Sequence, residues 1–130
     1  MFANCQLMGM DLAFPDICKT PPAAMAPIPY PDIGLGMMAM PVAWNVNLVG
    51  MPAHNLATIT PITLGDTVGA GGGIRSQTFM SKSQPVLGAN TVVVCGTPLA
   101  RLGSLNSQNC GNMIGMRIVP SQLKILVLAP

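Results

Sequence analysis

An all-β fold with little helix is what this sequence predicts, and three observations carry it. Thirteen prolines and fourteen glycines in 130 residues forbid a mainly helical chain, because proline removes a backbone donor and glycine loosens any regular element. A segment occurs twice. Val46-Asn47-Leu48-Val49-Gly50-Met51-Pro52-Ala53-His54-Asn55 returns as Val92-Val93-Val94-Cys95-Gly96-Thr97-Pro98-Leu99-Ala100-Arg101, offset by 46 residues. Each copy is a short apolar run, then Gly-x-Pro, then a small-residue turn ending in a hydroxyl at Thr58 or Ser104. Repeats of this kind build folds from similar β units that bury their apolar faces on each other.

The elements follow in chain order. Residues 20–31 carry Pro21, Pro22, Pro27, Pro29 and Pro31. They should be extended, with polyproline-like dihedrals, and unfit for a central strand. Their apolar filling (Met25, Ile28, Tyr30) predicts a segment strapped onto the body, since solvated linkers tend to be polar. Trp44, Val46 and Leu48 alternate with Asn45 and Asn47, the period of a half-buried strand. Residues 91–95 are apolar and β-branched, which predicts a more buried strand with Cys95 inside it. Residues 64–74 hold Gly65-Asp66 and a glycine run. Gly65-Asp66 is a turn signal, and the glycines allow tight backbone approach. The run lacks Gly-Lys-Ser/Thr and the full Gly-x-Gly-x-x-Gly spacing, so nucleotide binding is not expected. Residues 106–115 read as an irregular loop. Residues 123–128 are a third strand candidate and would complete three β units.

Composition narrows the function. Half of the chain is hydrophobic and only 8% is charged, against about 25% in ordinary soluble domains. So little charge implies that part of the surface is covered by another protein. The net charge is +2 with scattered Lys and Arg, which gives no basic patch and no nucleic-acid partner. Apolar stretches are interrupted by Pro and Gly, well short of the roughly 20 residues a spanning helix needs, so stable membrane insertion is not expected. No secretory signal is visible at the N-terminus. The four cysteines include no Cys-x-x-Cys and read as reduced thiols at synthesis.

Catalysis has little to work with. The acids are Asp11, Asp16, Asp32 and Asp66, with no Glu and one His, and no Gly-x-Ser-x-Gly elbow is present. The chain is expected to be no enzyme. A structural metal is the better chemical idea: Cys5, Cys18, His54 and Cys110 are the residue types a tetrahedral zinc site uses. Ordinary reduced cysteines are the plainer reading, because these spacings match no standard zinc motif. Eleven methionines are soft ligands too, though apolar packing explains them more cheaply. A small thiol and methionine metal-binding protein is therefore the alternative function.

The motifs together resemble a family. Pro98-Leu99-Ala100-Arg101 is one substitution from the Pro-Ala-Ala-Arg that names the PAAR proteins, and Pro52-Ala53-His54-Asn55 is a second degenerate copy. Phe14-Pro15-Asp16-Ile17-Cys18-Lys19-Thr20-Pro21, then Pro27-Ile28-Pro29-Tyr30-Pro31-Asp32, then Gly65-Asp66 and Gly115-Met116-Arg117 are similar in order to the PAAR-like pattern of bacterial secretion loci. The resemblance implies a compact, cone- or prism-like β fold with pseudo-three-fold units, long Pro/Gly-rich loops and one domain over residues 1–130 without a toxin extension. It implies a tip that caps the trimeric spike of a type VI secretion system or related contractile injection machine, one tip per trimer, with a separate effector or adaptor as second partner. Synthesis in the bacterial cytoplasm would be followed by delivery outside the cell or into a target cell. Docking would use the two repeats and the third unit, through Val46, Leu48, Pro52, Val92, Val94, Pro98, Arg101, Ile125 and Val127. The family's zinc, held by several His and a Cys near the apex, does not carry over residue by residue, since His54 is the one histidine here.

Overall fold

The computed structural model describes residues 1–21 and 24–128; Pro22 of the proline-rich stretch and Pro130 lie outside them. In chain order the strands are β1 (Met10–Thr20), β2 (Ala26–Leu35), β3 (Ala43–Leu48), β4 (Met51–Ala53) and β5 (Thr63–Leu64). Then come β6 (Gln84–Pro85), β7 (Ala89–Val94), β8 (Thr97–Leu99), β9 (Leu105–Gln108) and β10 (Met113–Val119). Single 3-10 turns occupy Gly36–Met38 and Asn109–Gly111. The fold is all-β, as the sequence predicts.

The repeat maps onto structure residue for residue. β3–β4 and β7–β8 are two-stranded hairpins in equivalent registers. Ala43 pairs with Ala53 and Leu48 with Met51, as Ala89 pairs with Leu99 and Val94 with Thr97. Both turns are two residues long with positive φ, Val49-Gly50 at 56° and 83° and Cys95-Gly96 at 51° and 84°. This is the turn whose twist suits a tight hairpin. Cys95 is therefore exposed at a hairpin tip and not buried in a strand, because the turn needs it in the left-handed region. Trp44 is also exposed, against the alternation read in the sequence. The register shifts between Ala43 and Asn47, and this bulge turns the indole outward.

The third unit is built from both ends of the described chain. Residues 123–128 form no regular strand, but Met1–Ala3 runs beside them. Ala3 N donates to Ile125 O (3.1 Å), Val127 N to Met1 O (2.6 Å) and the Met1 amino group to Val127 O (3.1 Å). Val127 thereby takes the place that Leu48 and Val94 hold in the hairpins. The three units then close into a ring. Asn4 N donates to Ala100 O, Ala100 N to His54 O and His54 N to Asn4 O, each at 3.0 Å. A second cycle surrounds it: Gln6 N to Pro52 O, Leu56 N to Pro98 O and Leu102 N to Phe2 O. Both cycles are satisfied entirely by backbone, so they impose little on side-chain identity. The apolar core fills this prism with Ala3, Cys5, Ala43, Leu48, Ala53, Ala89, Val94, Leu99 and Val127.

The remaining strands form one antiparallel sheet, ordered β5-β2-β1-β10-β9-β6 and curled into a half-barrel. Its polarity is inverted. Asp11, Asp16, Cys18, Asp32, Asn106, Gln108 and Arg117 point inward and are buried, while Phe14, Ile17, Ile114, Met116 and Ile118 are exposed. This inversion is why residues 106–115, read as a loop, are in fact the β9–β10 hairpin. Their inward positions are polar, so the usual apolar alternation is missing. The proline-rich stretch is likewise a regular strand. Pro27, Pro29 and Pro31 alternate along β2, so the missing donors all fall on one edge, while β1 pairs along the other. β5 joins β2 only at Ile33 and Gly34, past the prolines.

Candidate functional site

Two sites emerge, one made of backbone and one of side chains. The first is the three-unit prism. Leu48, Val94 and Val127 occupy equivalent buried positions in its core. Val46 and Val92 pack partly buried against the same core, and Ile125 is more exposed. Pro52 and Pro98 are equivalent carbonyl acceptors, and Phe2 is the third. Arg101 bridges Ala3 at one corner, as Asn55 bridges Leu99 and Cys5 bridges Ala53 at the others. The outer edges of β3 and β7 have no strand neighbour among the described residues. Beside them Trp44, Val93, Leu123 and Leu126 are exposed apolar side chains.

The second site lies inside the half-barrel. Asp16 and Cys18 come from β1, Asp66 from the glycine-rich loop and Asn109 from the turn before β10. Asn109 Nδ2 donates to Asp16 Oδ2 (2.9 Å) and Asp66 Oδ2 (3.0 Å) and lies 3.7 Å from Cys18 Sγ. Cys18 Sγ donates to Asp66 Oδ2 at 3.8 Å. Asn112 Nδ2 donates to the other Asp16 oxygen, and the Met80 amide caps both Asp66 oxygens. All four central residues are fully buried.

Local backbone makes this packing feasible. A Cβ on Gly69 would sit 2.4 Å from Cys18 Cβ, and one on Gly73 would sit 2.3 Å from Asn112 Cγ. The glycine-rich loop is thus a surface shaped to lie on the cluster, the close approach its composition predicts. Asn109, Cys110 and Gly111 hold φ of 45°, 55° and 91° in succession. Such a run is strained for the two non-glycine residues and aims Asn109 inward.

Burial sets the electrostatics. It pushes the Cys18 thiol up to about 12, with the Asp16 and Asp66 charges adding to the effect. It raises Asp32 to about 7, helped by Asp66 and Asp16 and opposed by the Thr63 hydroxyl and the Ile33 amide. Asp66 is also raised by burial, against the pull of the Met80 amide. His54 goes the other way, down to about 3, because it is buried in the ring and faces the Arg117 charge.

The expected zinc residues are dispersed. Cys5 and His54 share the ring, Cys18 belongs to the carboxylate cluster, and Cys110 is exposed on its turn. Among the described residues, the group of three or more metal-type ligands is Asp16, Cys18 and Asp66. The sequence motifs contained these three residues without revealing that they meet. Asn109 and Asn112 went unread, and their one signal is a turn-prone Asn-Cys-Gly-Asn run. No helix is long and apolar enough to cross a membrane among the described residues.

Comparison with known proteins agrees with the motifs. No curated protein and no solved structure matches the chain. The family described as toxin PAAR-like domain matches residues 9–115, which takes in both continuous hairpins, most of the half-barrel and the whole buried cluster. The chain belongs to the toxin PAAR-like domain family.

Proposed function

We propose that this protein is a non-enzymatic tip that caps and sharpens the trimeric spike of a type VI secretion system or related contractile injection machine. The observation that carries this reading is the ring in which Asn4, Ala100 and His54 hydrogen-bond in a closed cycle. A trimeric spike ends in three equivalent strand edges. A single chain can meet all three only by presenting three similar units, and the prism does so. The outer edges of β3, β7 and residues 123–128 are suited to strand addition, with the neighbouring apolar side chains supplying contact area. A stable cap needs more than about 1,000 Å² of buried surface, which the low charge of the chain favours. Once one copy is seated the three-fold symmetry is consumed, giving one tip per trimer. A separate effector or adaptor is the second partner, and the tip leaves the bacterial cytoplasm with the spike. His54 supports a non-catalytic role, because it is enclosed by the ring and held neutral.

Native mass spectrometry of the chain co-expressed with a spike protein from the same secretion locus tests this. One copy per three spike chains is expected. Failure to bind any such spike protein, or a complex of three with three, overturns it.

A further inference from the structure

We propose that Asp16, Cys18 and Asp66, with Asn109, form a zinc site buried inside the half-barrel. The proposal stands whether or not the chain caps a spike. One ligand atom from each of Asp16, Cys18 and Asp66 lies within 4.8 Å of the others. The single buried cation among the described residues, Arg117, is committed to Asp11. Burying carboxylates without a basic partner costs several kcal/mol each in general, and a divalent ion removes that cost.

Two further observations point to a ligand. Asn109 Nδ2 has two hydrogens but faces three acceptors, at 2.9, 3.0 and 3.7 Å. An amide edge occupies the point where positive charge is wanted. Asp32 is the second. It is fully buried, and neither of its oxygens has a hydrogen-bond partner among the described residues. The Thr63 hydroxyl and the Ile33 amide lie near enough to ease its charge, but the hydroxyl donates to Ser81 O. Asp32 shares the inward face of β2 with Tyr30, which sits opposite Asp16 on β1, and its carboxyl feels the charges of Asp16 and Asp66.

The donor set selects the metal. Calcium and magnesium take oxygen alone, whereas zinc accepts thiolate and carboxylate together in a four-coordinate site. Asn109 completes the set by turning its amide over, which places Oδ1 toward the ion and Nδ2 toward Thr78 Oγ1. That hydroxyl now donates to Asn109 Oδ1 at 3.2 Å and can equally accept. Cys18 would bind as thiolate and release its proton to solvent as the zinc–sulfur bond forms.

The test uses the full chain with Cys95→Ser and Cys110→Ser, which removes the two exposed thiols. After dialysis against zinc chloride, one zinc per chain and a higher melting temperature than in EDTA are expected. Cobalt chloride should give a thiolate-to-cobalt absorption band that Cys18→Ser abolishes. Asp66→Asn can still accept from the Met80 amide, so it should fold, yet weaken zinc more than about 100-fold, beyond the range typical of outer-shell changes. Absence of zinc from the parent chain overturns the proposal whatever the variants do. So does a cobalt band that survives Cys18→Ser, because the thiol would then be Cys5.

Discussion

Arg117 forks onto Asp11 across 106 residues of sequence, with both side chains buried. The pair ties β10 to the start of β1, and Arg117 Nη1 also donates to Ser121 Oγ at 3.1 Å. Arg117→Ala would leave an uncompensated carboxylate in the interior. It should cost about 3–5 kcal/mol, read as a drop in the denaturation midpoint. Arg117→Lys keeps the charge but loses the fork, so it should recover only part of that loss. A midpoint unchanged in Arg117→Ala would show that the pair contributes nothing net.

The pH profile should separate two buried groups that work in opposite directions. His54 titrates at about 3 in the folded chain against an ordinary 6.5. Between those values the unfolded chain takes up a proton that the folded chain refuses, so acidification through this window destabilises. Asp32 titrates at about 7 against 3.8. There the folded chain holds the extra proton, so stability is lost as pH rises from 3.8 to 7, and Asp66 acts in the same sense. With EDTA present, His54→Asn should make stability fall more steeply as pH rises from 4 to 6, by about 1 kcal/mol per pH unit. Asp32→Asn should tilt the profile the other way. Parallel profiles for the two variants would refute this account.

Cys18 adds an alkaline limb. Its thiol is pushed up from 9.0 to about 12, so in EDTA the fold should weaken as pH climbs above 9. The loss comes from thiolate forming more readily in the unfolded chain. Cys18→Ala, if folded, should lack that limb in urea melts between pH 8 and 10.

Turn chemistry offers a gain. Val49 is β-branched yet sits at φ 56°, where branched residues are strained. Val49→Asn should stabilise by up to about 1 kcal/mol, since Asn-Gly suits this turn. Gly50 has open space around its Cα but φ 83°, so Gly50→Ala should cost about 1–2 kcal/mol through backbone alone. Gly69→Ala meets Cys18 directly and should cost a similar amount or more through the clash. Thermal melts of the three variants rank these effects.

The spike interface can be probed without disturbing the core. Trp44 is 69% and Val93 60% exposed. Trp44→Lys with Val93→Lys should leave the stability to unfolding within about 0.5 kcal/mol of the parent. Spike binding by pull-down or calorimetry should fall at least tenfold. Undiminished binding would place the contact elsewhere.

The repeat is legible as two similar β units because each copy is continuous in sequence, but the tight turn inside each copy is not, and Cys95 reads as part of a strand. Gly50 and Gly96 set the turns that pair residues 43–48 with 51–53 and 89–94 with 97–99. The third unit was visible only as the apolar residues 123–128. Its partner, Phe2 to Cys5, carries neither Gly nor Pro, because no turn joins the two segments. The half-barrel was harder to read. Asn106 and Gln108 face inward, so polarity no longer reports the buried side. The cluster suffered most: Asp16, Cys18 and Asp66 belong to recognisable motifs, but nothing local says that Asn109 reaches all three.

A ring with two intact hairpins and one divided hairpin has a topological consequence. Met1 and Val127 already exchange two hydrogen bonds, as strands do on either side of a tight turn. A short Gly-containing linker from residue 128 to residue 1 would make the third hairpin continuous. New termini could then be opened at Gly50 or at Gly96. The circular permutants should reach the same native structure, since every backbone bond that closes the ring is kept.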